Sequence, residues 1–283
     1  MDILTVEHVT AGYEKAPVIR DLTFAVPGGG ITGVVGPNGA GKTTLFRTIS
    51  RILKPWSGTI RFRGDDISGM PRREFARRVA VIPQFRMIPP PFTVEEFVSL
   101  GRYPHIGRLS PLKQQDRRII AKILELLGLA HIRTRKVNAL SGGEMQRAYL
   151  AQGLVQTPEL LLMDEPTAHL DISQKIRVLD LIDSLSETVG LSVLVILHDL
   201  NLASGYCNRV LMLEKGEIRA AGTPEEVLTR RTIEEVYRTP VRVGKDPMTA
   251  RPHIYFLPRS SAVRRDGPRV SQTEKTNGVL TKD

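Results

Sequence analysis

Residues 36–44 read GPNGAGKTT, and residues 36–43 match the pattern G-x-x-x-x-G-K-[ST]. An apolar strand pattern over residues 31–35 precedes this stretch, and a helical pattern over residues 45–53 follows it. That context is the one in which the pattern forms a phosphate-binding loop. Glycines let the backbone turn its N–H groups inward, and the N-terminus of the following helix adds partial positive charge. The stretch therefore predicts a nucleotide phosphate site in an α/β domain.

Two side chains of this loop supply chemistry that the backbone lacks. Lys42 offers a point charge to the β- and γ-phosphates, and the Thr43 hydroxyl is suited to bind Mg²⁺. The loop residues predicted to bind the nucleotide are Gly36, Pro37, Asn38, Gly39, Ala40, Gly41, Lys42, Thr43 and Thr44.

Composition limits the class of protein. The chain has 283 residues and a single cysteine, Cys207, which rules out an internal disulfide. Its apolar runs are too short to span a bilayer and its N-terminus lacks a signal peptide pattern, so we expect a soluble, cytosolic protein. The net charge of +10 suits nucleic acid, nucleotide phosphate or an anionic membrane surface, and charge alone does not choose between them. Because the arginines are scattered, a solvated basic face is the favoured interpretation.

The hydrophobic period changes along the chain. The first part and the last part alternate short apolar strand patterns with helical ones, which predicts an α/β fold with a mostly parallel core sheet and an N-terminal antiparallel β part. From about residue 92 the period is helical: a capping box begins at Thr93, Ser110 and Pro111 predict a further helix start, and a second capping box begins at Ser141. We therefore expect a helical subdomain insert at about residues 90–156.

The C-terminal end has a different composition. After about residue 258 the chain is polar, with few large apolar residues, and such a segment lacks the surface needed to form a core. The sequence therefore predicts one domain over residues 1–258 and a disordered tail over residues 259–283.

A pair of acids follows a buried-strand pattern. Residues 160–163 read LLLM and lead into Asp164 and Glu165. Asp164 is placed to hold Mg²⁺ through water, and Glu165 is placed to act as a base or to orient an attacking water. Two acids at the end of a strand are in general more often solvated than catalytic, but the phosphate loop upstream reverses that expectation.

The sequence LSGGE at residues 140–144 resembles the signature of the ABC ATPase family. Other family elements occur in the expected order between about residues 3 and 242. Tyr13 resembles the aromatic residue that stacks on adenine, and Gln84 resembles the glutamine of the Q-loop. Asp171 lies in a segment that resembles the D-loop, and His198 resembles the switch histidine. The resemblance implies a P-loop NTPase fold, ATP as the nucleotide and Mg²⁺ as the metal.

The resemblance also implies a role for each element. Glu165 and His198 would be catalytic, and Mg²⁺ would be held by Thr43, Gln84 and Asp164. In the family the signature forms a second anion site that faces the ATP held by another subunit, so a head-to-tail dimer of two copies is expected, with Asp171 connecting the two sites. One position departs from the pattern, since Ala168 stands where many members have serine or asparagine. The signature residues expected to contact ATP across the dimer are Ser141, Gly142, Gly143 and Glu144.

The class of ABC protein follows from what accompanies the cassette. A long heptad insert, a second cassette and fused membrane helices are not seen in the sequence, which favours an importer subunit. Residues 100–107, LGRYPHIG, together with residues 239–243 and 251–253, resemble cassettes that serve ferric siderophore, haem and cobalamin importers. That resemblance implies a location at the cytoplasmic face of the inner membrane, integral membrane permease subunits as partners, and indirectly a substrate-binding protein.

Two alternatives stay open at this point. One is a transporter of another class, such as an importer of molybdate or of another metal chelate. The other is a soluble ABC ATPase that acts on a nucleic-acid partner, although no nucleic acid is expected. The transported compound is not specified by this chain, because the permease and the binding protein select it.

Overall fold

A computed structural model describes residues 1–84, 92–107, 110–166 and 170–257. The predicted tail over residues 259–283 and the D-loop departure at Ala168 lie outside these ranges. The domain boundary at residue 258 also stays a prediction.

Within the part of the chain that the structure describes, the strands form three sheets. An antiparallel sheet at the N-terminal side has the order β2-β1-β4-β5, and a six-stranded sheet has the order β10-β9-β3-β8-β7-β6, in which only the β10–β9 pair is antiparallel. A separate hairpin pairs β11 with β12. The strands are β1 (Asp2–Tyr13), β2 (Ala16–Pro27), β3 (Gly30–Val35), β4 (Ser57–Phe62), β5 (Asp65–Asp66), β6 (Val79–Ile82), β7 (Leu160–Asp164), β8 (Ser192–Ile196), β9 (Arg209–Glu214), β10 (Glu217–Gly222), β11 (Val241–Lys245) and β12 (Pro252–Phe256).

Helices cover the larger sheet and form the insert. Short 3-10 segments at Leu100–His105, Ala130–Ile132 and Val137–Ala139 connect the helices of the insert. The helices are α1 (Lys42–Ile49), α2 (Arg72–Arg78), α3 (Val94–Ser99), α4 (Gln114–Leu126), α5 (Gly142–Leu154), α6 (Ile172–Val189), α7 (Leu200–Tyr206), α8 (Pro224–Val227) and α9 (Arg230–Tyr237).

Alternate residues of the central strands supply two separate cores. In β7, Leu161 belongs to an apolar cluster shared with the helical insert, whereas Leu160 and Leu162 belong to a cluster shared with the antiparallel sheet. The period of two along a strand explains this division, and burial on both faces explains why the strand reads as a continuous apolar run. The α/β architecture, the mostly parallel core sheet, the antiparallel β part and the helical insert are therefore confirmed. Within the described ranges, every helix is too short or too polar to span a bilayer.

One predicted helix start is wrong. The helix expected from Ser110 and Pro111 begins at Gln114, and Lys113 is its N-cap. The reason is a contact at this end of the helix, where the Asp116 carboxylate accepts the backbone N–H of Lys113 at 3.0 Å. This bond satisfies one of the free N–H groups at the helix end, and a proline cap upstream is not needed.

Candidate nucleotide site

The phosphate loop lies at the C-terminal end of β3. Gly36 has φ 149° and Gly41 has φ 100°, which are backbone conformations that residues with a Cβ rarely adopt. A Cβ on Gly36 would lie 2.2 Å from the carbonyl oxygen of Leu213, so this position also lacks space. Helix α1 begins at Lys42, directly after the turn, and its N-terminal N–H groups face the loop. The predicted phosphate loop therefore has the backbone geometry that its glycines indicated.

Lys42 is folded into the loop. Its Nζ donates to the carbonyl oxygens of Gly36 at 2.7 Å and of Pro37 at 3.0 Å. Burial lowers the pKa of the Lys42 ammonium, and the carboxylates of Glu165 and Asp164 act in the opposite direction. The positive charge is thus positioned inside the loop by two neutral acceptors.

Asp164, the last residue of β7, is buried beside the loop. Burial raises the pKa of Asp164 and the charge of Glu165 adds to this effect, while a hydrogen bond from the Thr43 hydroxyl and the charge of Lys42 oppose it. Within the described residues, the Oδ1 atom of Asp164 has no hydrogen-bond partner. A buried carboxylate oxygen without a partner costs free energy unless a cation or water approaches it.

This arrangement fits a magnesium ion. Mg²⁺ binds through one or two carboxylates together with phosphate oxygens and waters, and it does not require a cage of protein ligands. Among the described residues no group of three His, Cys, Asp or Glu side chains could hold a metal ion alone. The Thr43 hydroxyl and the unpartnered oxygen of Asp164 therefore offer the small donor set that Mg²⁺ with a nucleotide needs.

Glu165 joins two distant segments. It has φ 49°, the left-handed region, which costs about 1–3 kcal/mol for a residue with a Cβ. One of its carboxylate oxygens accepts from Gln84 Nε2 at 2.5 Å, and the other contacts Nε2 of His198. Three residues from separate parts of the sequence therefore meet at a residue whose own backbone conformation is strained.

These groups surround one cavity of about 570 Å³. Sequence reasoning did not include Val18, which has no motif around it and lines the cavity because β2 passes beside the phosphate loop. The lining residues are Val18, Asn38, Gly39, Ala40, Gly41, Lys42, Thr43, Thr44, Gln84, Glu165 and His198.

Tyr13 lies at the end of β1 and outside the set that lines the cavity. Its ring is partly exposed, and its hydroxyl accepts from Arg47 Nη1 at 3.0 Å. The Arg47 guanidinium carbon lies 6.0 Å from the centroid of the same ring. Sequence reasoning missed Arg47, because only the fold places α1 beside the end of β1.

The signature residues lie elsewhere on the same chain. Ser141 is the N-cap of α5: its hydroxyl accepts the backbone N–H of Glu144 at 3.3 Å, and the Glu144 carboxylate accepts the backbone N–H of Ser141 at 2.7 Å. The predicted capping box is thus confirmed. Ser141 and Gly142 are exposed, Gly143 is packed against Gln174 of α6, and none of them lines the cavity.

Asp171 is the N-cap of α6. Its carboxylate accepts the backbone N–H of Gln174 and the hydroxyl of Ser173, both at 2.8 Å. These bonds lower the pKa of Asp171, the bond from Gln174 most strongly. In this structure the side chain caps its own helix, and it does not reach the cavity.

The fold and the site define a P-loop NTPase with a helical insert. Residues 19–168 match the family model described as ABC transporter. The chain is 38% identical over 252 residues to the iron(3+)-hydroxamate import ATP-binding protein FhuC of Bacillus subtilis (strain 168), covering 89% of this chain and 94% of that protein. It is 39% identical over 257 residues to the hemin import ATP-binding protein HmuV of Pseudomonas entomophila (strain L48), covering 89% and 99%.

Solved structures agree with the sequence relatives. The ADP conformation of MJ1267, an ATP-binding cassette of an ABC transporter, superimposes with a TM-score of 0.76 and 26% identity, covering 84% of this chain and 99% of that one. The chain therefore belongs to the ABC transporter family and is an ATP-binding, ATP-hydrolysing subunit of that family.

Proposed function

We propose that this chain energises the uptake of a metal chelate, namely a ferric siderophore, haem or cobalamin, through a separate permease. The hydrolytic part of this proposal rests on one observation: Glu165 is held between Gln84 and His198 at the mouth of the phosphate loop. The import part is supported by the relatives, which include an iron(3+)-hydroxamate import protein and a hemin import protein.

The geometry supports a division of roles for hydrolysis. Glu165 accepts a proton from the attacking water or orients it, and His198 contacts the γ-phosphate beside it. Lys42 leaves its two carbonyl acceptors for the β- and γ-phosphates, which are stronger, charged acceptors.

Three residues would hold Mg²⁺. The Thr43 hydroxyl is bonded to the Asp164 carboxylate, whose Oδ1 has no partner among the described residues. Gln84 donates to Glu165 through Nε2, which leaves its Oε1 available to the metal. When bound, the ion neutralises charge on the β- and γ-phosphate oxygens.

A second copy of the chain completes the site in this proposal. The N-terminus of α5 begins at the exposed Ser141 and Gly142, and a helix N-terminus with a hydroxyl beside it suits a phosphate, yet this end lies outside the cavity of its own chain. In a head-to-tail dimer Ser141 and Gly143 of one copy face the γ-phosphate held by the other. Asp171, at the start of α6, then lies between the two sites. Tyr13 stacks on the adenine. Residues 1–258 form the ATPase domain in this proposal.

The permease docks on a groove at the edge of the insert. This groove has a volume of about 410 Å³ and lies between α2 and the turn at Leu100–His105. Tyr103 is 73% exposed there, and Arg73 supports the turn by donating to the carbonyl oxygen of Pro104 at 2.8 Å. An amphipathic cytoplasmic helix of the permease suits an aromatic residue flanked by arginines. This docking places the chain at the cytoplasmic face of the inner membrane, with the binding protein reached only through the permease.

The decisive test of hydrolysis is Glu165→Gln, which keeps the shape and removes the charge. We expect ATP binding, measured by fluorescence of a labelled analogue, to persist, and kcat to fall by about 10²–10⁴-fold. Glu187→Gln is the matched control, since Glu187 is an exposed carboxylate on α6. Rapid steady hydrolysis by Glu165→Gln would contradict the role.

A second experiment tests the cargo. The chain is co-expressed with the membrane protein encoded beside its gene and purified through that partner. ATPase activity is then measured with ferric siderophores, haem and cobalamin, each with its binding protein. Stimulation by one of these classes supports metal-chelate import, and failure to co-purify contradicts it.

A further inference from the structure

Helix α7 begins at Leu200, two residues after His198. Asp199 is its N-cap and accepts the backbone N–H groups of Asn201 at 2.8 Å and Leu202 at 3.2 Å. On the other side, the backbone N–H of Leu197 is held by the carbonyl oxygen of Val34 at 3.1 Å. The position of the His198 imidazole is therefore set by the end of the core sheet and by the placement of α7.

The C-terminal hairpin β11–β12 is bonded to this helix. Asn201 accepts the backbone N–H of Ile254 at 2.8 Å and donates to the carbonyl oxygen of Ile254 at 3.1 Å, as a neighbouring strand would. The Ser204 hydroxyl donates to the carbonyl oxygen of Pro252 at 2.5 Å. Both side chains lie on one face of α7, because residues three apart on a helix share a face.

Arg251 closes the other end of the helix. Its Nη1 lies within hydrogen-bond distance of the carbonyl oxygens of Ser204 at 2.8 Å, Gly205 at 2.8 Å and Cys207 at 3.2 Å. Carbonyl groups at a helix C-terminus lack partners within the helix, and a guanidinium satisfies several of them at once. The hairpin and the adjoining Arg251 thus bind α7 near its start, at its middle and at its C-terminus.

The hairpin is itself anchored in the core. Ile254 is 2% exposed and Val241 is 1% exposed, and both pack in the apolar cluster that also includes Leu200 and Ala203 of α7. A fixed hairpin therefore holds a short helix of seven residues, which by itself is too short to be stable.

We propose that Asn201 is a positioning residue for His198: it ties α7 to the C-terminal hairpin and so keeps the imidazole against Glu165. This inference rests on the proposed role of His198 in hydrolysis. Asn201 does not touch the cavity, and it acts only through the helix that follows the histidine. Displacement of a catalytic group by about 1 Å can cost about 10²-fold in rate, so loss of the tie is expected to act on kcat.

The test is a double-mutant cycle between Asn201→Ala and His198→Ala. We expect Asn201→Ala to lower kcat at least about tenfold with the KM for ATP within about twofold, and to cause no further loss in the His198→Ala background. Tyr206→Phe is the matched control, because it removes a bond at 2.7 Å from the same helix to Asp180 of α6, away from the hairpin. If Asn201→Ala does not fold, Ser204→Ala takes its place, because it removes the other side-chain bond from this face of α7 to the hairpin.

The outcomes separate the two hypotheses. The positioning role is overturned if Asn201→Ala has the kcat of the wild type, or if it lowers kcat equally in the wild-type and His198→Ala backgrounds. Neither result affects the proposed role of His198. A loss as large in Tyr206→Phe overturns the positioning role as well, since any loosening of α7 would then suffice. Wild-type kcat in His198→Ala overturns the proposed role of the histidine, and the positioning role with it.

Discussion

Replacement of Arg102 by methionine tests the most deeply buried ion pair of the helical insert. The side chains of Arg102 and Asp116 are 7% and 9% exposed, and Nε of the arginine donates to Oδ1 of the acid at 2.9 Å. The same guanidinium donates to the carbonyl oxygen of Val155 at 2.7 Å. Methionine has a similar length and no donor, so Arg102→Met leaves the buried Asp116 carboxylate without its counter-charge and the Val155 carbonyl without this donor.

The expected cost is large for one substitution. Breaking a buried pair by removing one partner costs about 3–5 kcal/mol, because the remaining charge is desolvated and uncompensated. For a domain of this size, each kcal/mol lowers Tm by about 2–4 °C, so the fall is about 6–20 °C. The double variant Arg102→Met, Asp116→Asn removes the stranded charge but keeps an acceptor for Lys113, and it should recover at least about 1 kcal/mol.

Urea unfolding measures these differences in the free energy of unfolding. The control is Arg230→Met, which breaks the surface pair with Glu234, where the arginine side chain is 68% exposed, and should cost less than about 1 kcal/mol. A cost for Arg102→Met no larger than that of the control, or a double variant as unstable as the single one, would refute the reasoning.

The same pair gives a pH dependence of definite sign. Burial alone would raise the pKa of Asp116, but the backbone N–H of Lys113 and the Arg102 guanidinium outweigh it and hold the pKa below its ordinary value of 3.8. A carboxyl group with a lowered folded pKa contributes stability that is complete above the unfolded pKa and is lost as the pH falls through the folded pKa. The stability advantage of the wild type over the double variant should therefore narrow below pH 3.8. If the difference in the free energy of unfolding between the wild type and the double variant stayed constant below pH 3.8, Asp116 would not be the group responsible for the pH dependence.

Three further changes test other parts of the structure. Ser141→Arg should retain nucleotide binding, measured by analogue fluorescence, and lose turnover, because its bulk fills the site offered to the other copy; undiminished turnover would speak against a shared site. Thr43→Val should shift the Mg²⁺ titration of ATPase activity to higher concentration, since the hydroxyl beside Asp164 is lost, and an unchanged titration would exclude it as a ligand. Gly101→Ala should destabilise by about 1–3 kcal/mol in thermal unfolding, because its Cβ would lie 2.0 Å from the carbonyl oxygen of Gln152, whereas an unchanged Tm would show that the turn adapts.

The sequence predicts the elements of this fold better than their ends. The phosphate loop and the apolar runs at residues 31–35 and 160–163 are local signals, and the structure confirms the strands that they indicated. The start of α4 depends instead on Asp116, whose carboxylate is fixed by a guanidinium fourteen residues earlier in the chain. The bond between Lys113 and Asp116 is local, but a pattern within one turn of helix does not show that Arg102 fixes this carboxylate, so the start of α4 was not evident from Ser110 and Pro111.

The partners of Tyr13 illustrate the same limit at the site. The aromatic residue is recognisable from its place in the chain, but its hydrogen bond to Arg47 spans 34 residues and depends on how α1 packs beside β1. The bond that attaches the C-terminal hairpin to α7 joins residues still farther apart in the sequence, since Asn201 is bonded to the backbone of a residue 53 positions away. Such bonds follow from packing, and they have no periodic signature.

Strand order explains why the site residues meet at all. In the core sheet β7 lies between β8 and β6, and all three run parallel, so their C-terminal ends lie at one edge. Glu165 follows β7 directly, while Gln84 and His198 each follow two residues after their own strands, which places the acid between the amide and the imidazole. The sequence identifies Glu165 by the apolar run before it, and it identifies Gln84 and His198 by their resemblance to elements of the ABC family. It does not contain their order across the sheet, because the crossover connections that set this order pass through the insert and α6. The left-handed φ of Glu165 then becomes intelligible, since only a sharp turn at the strand end directs its carboxylate to both neighbours.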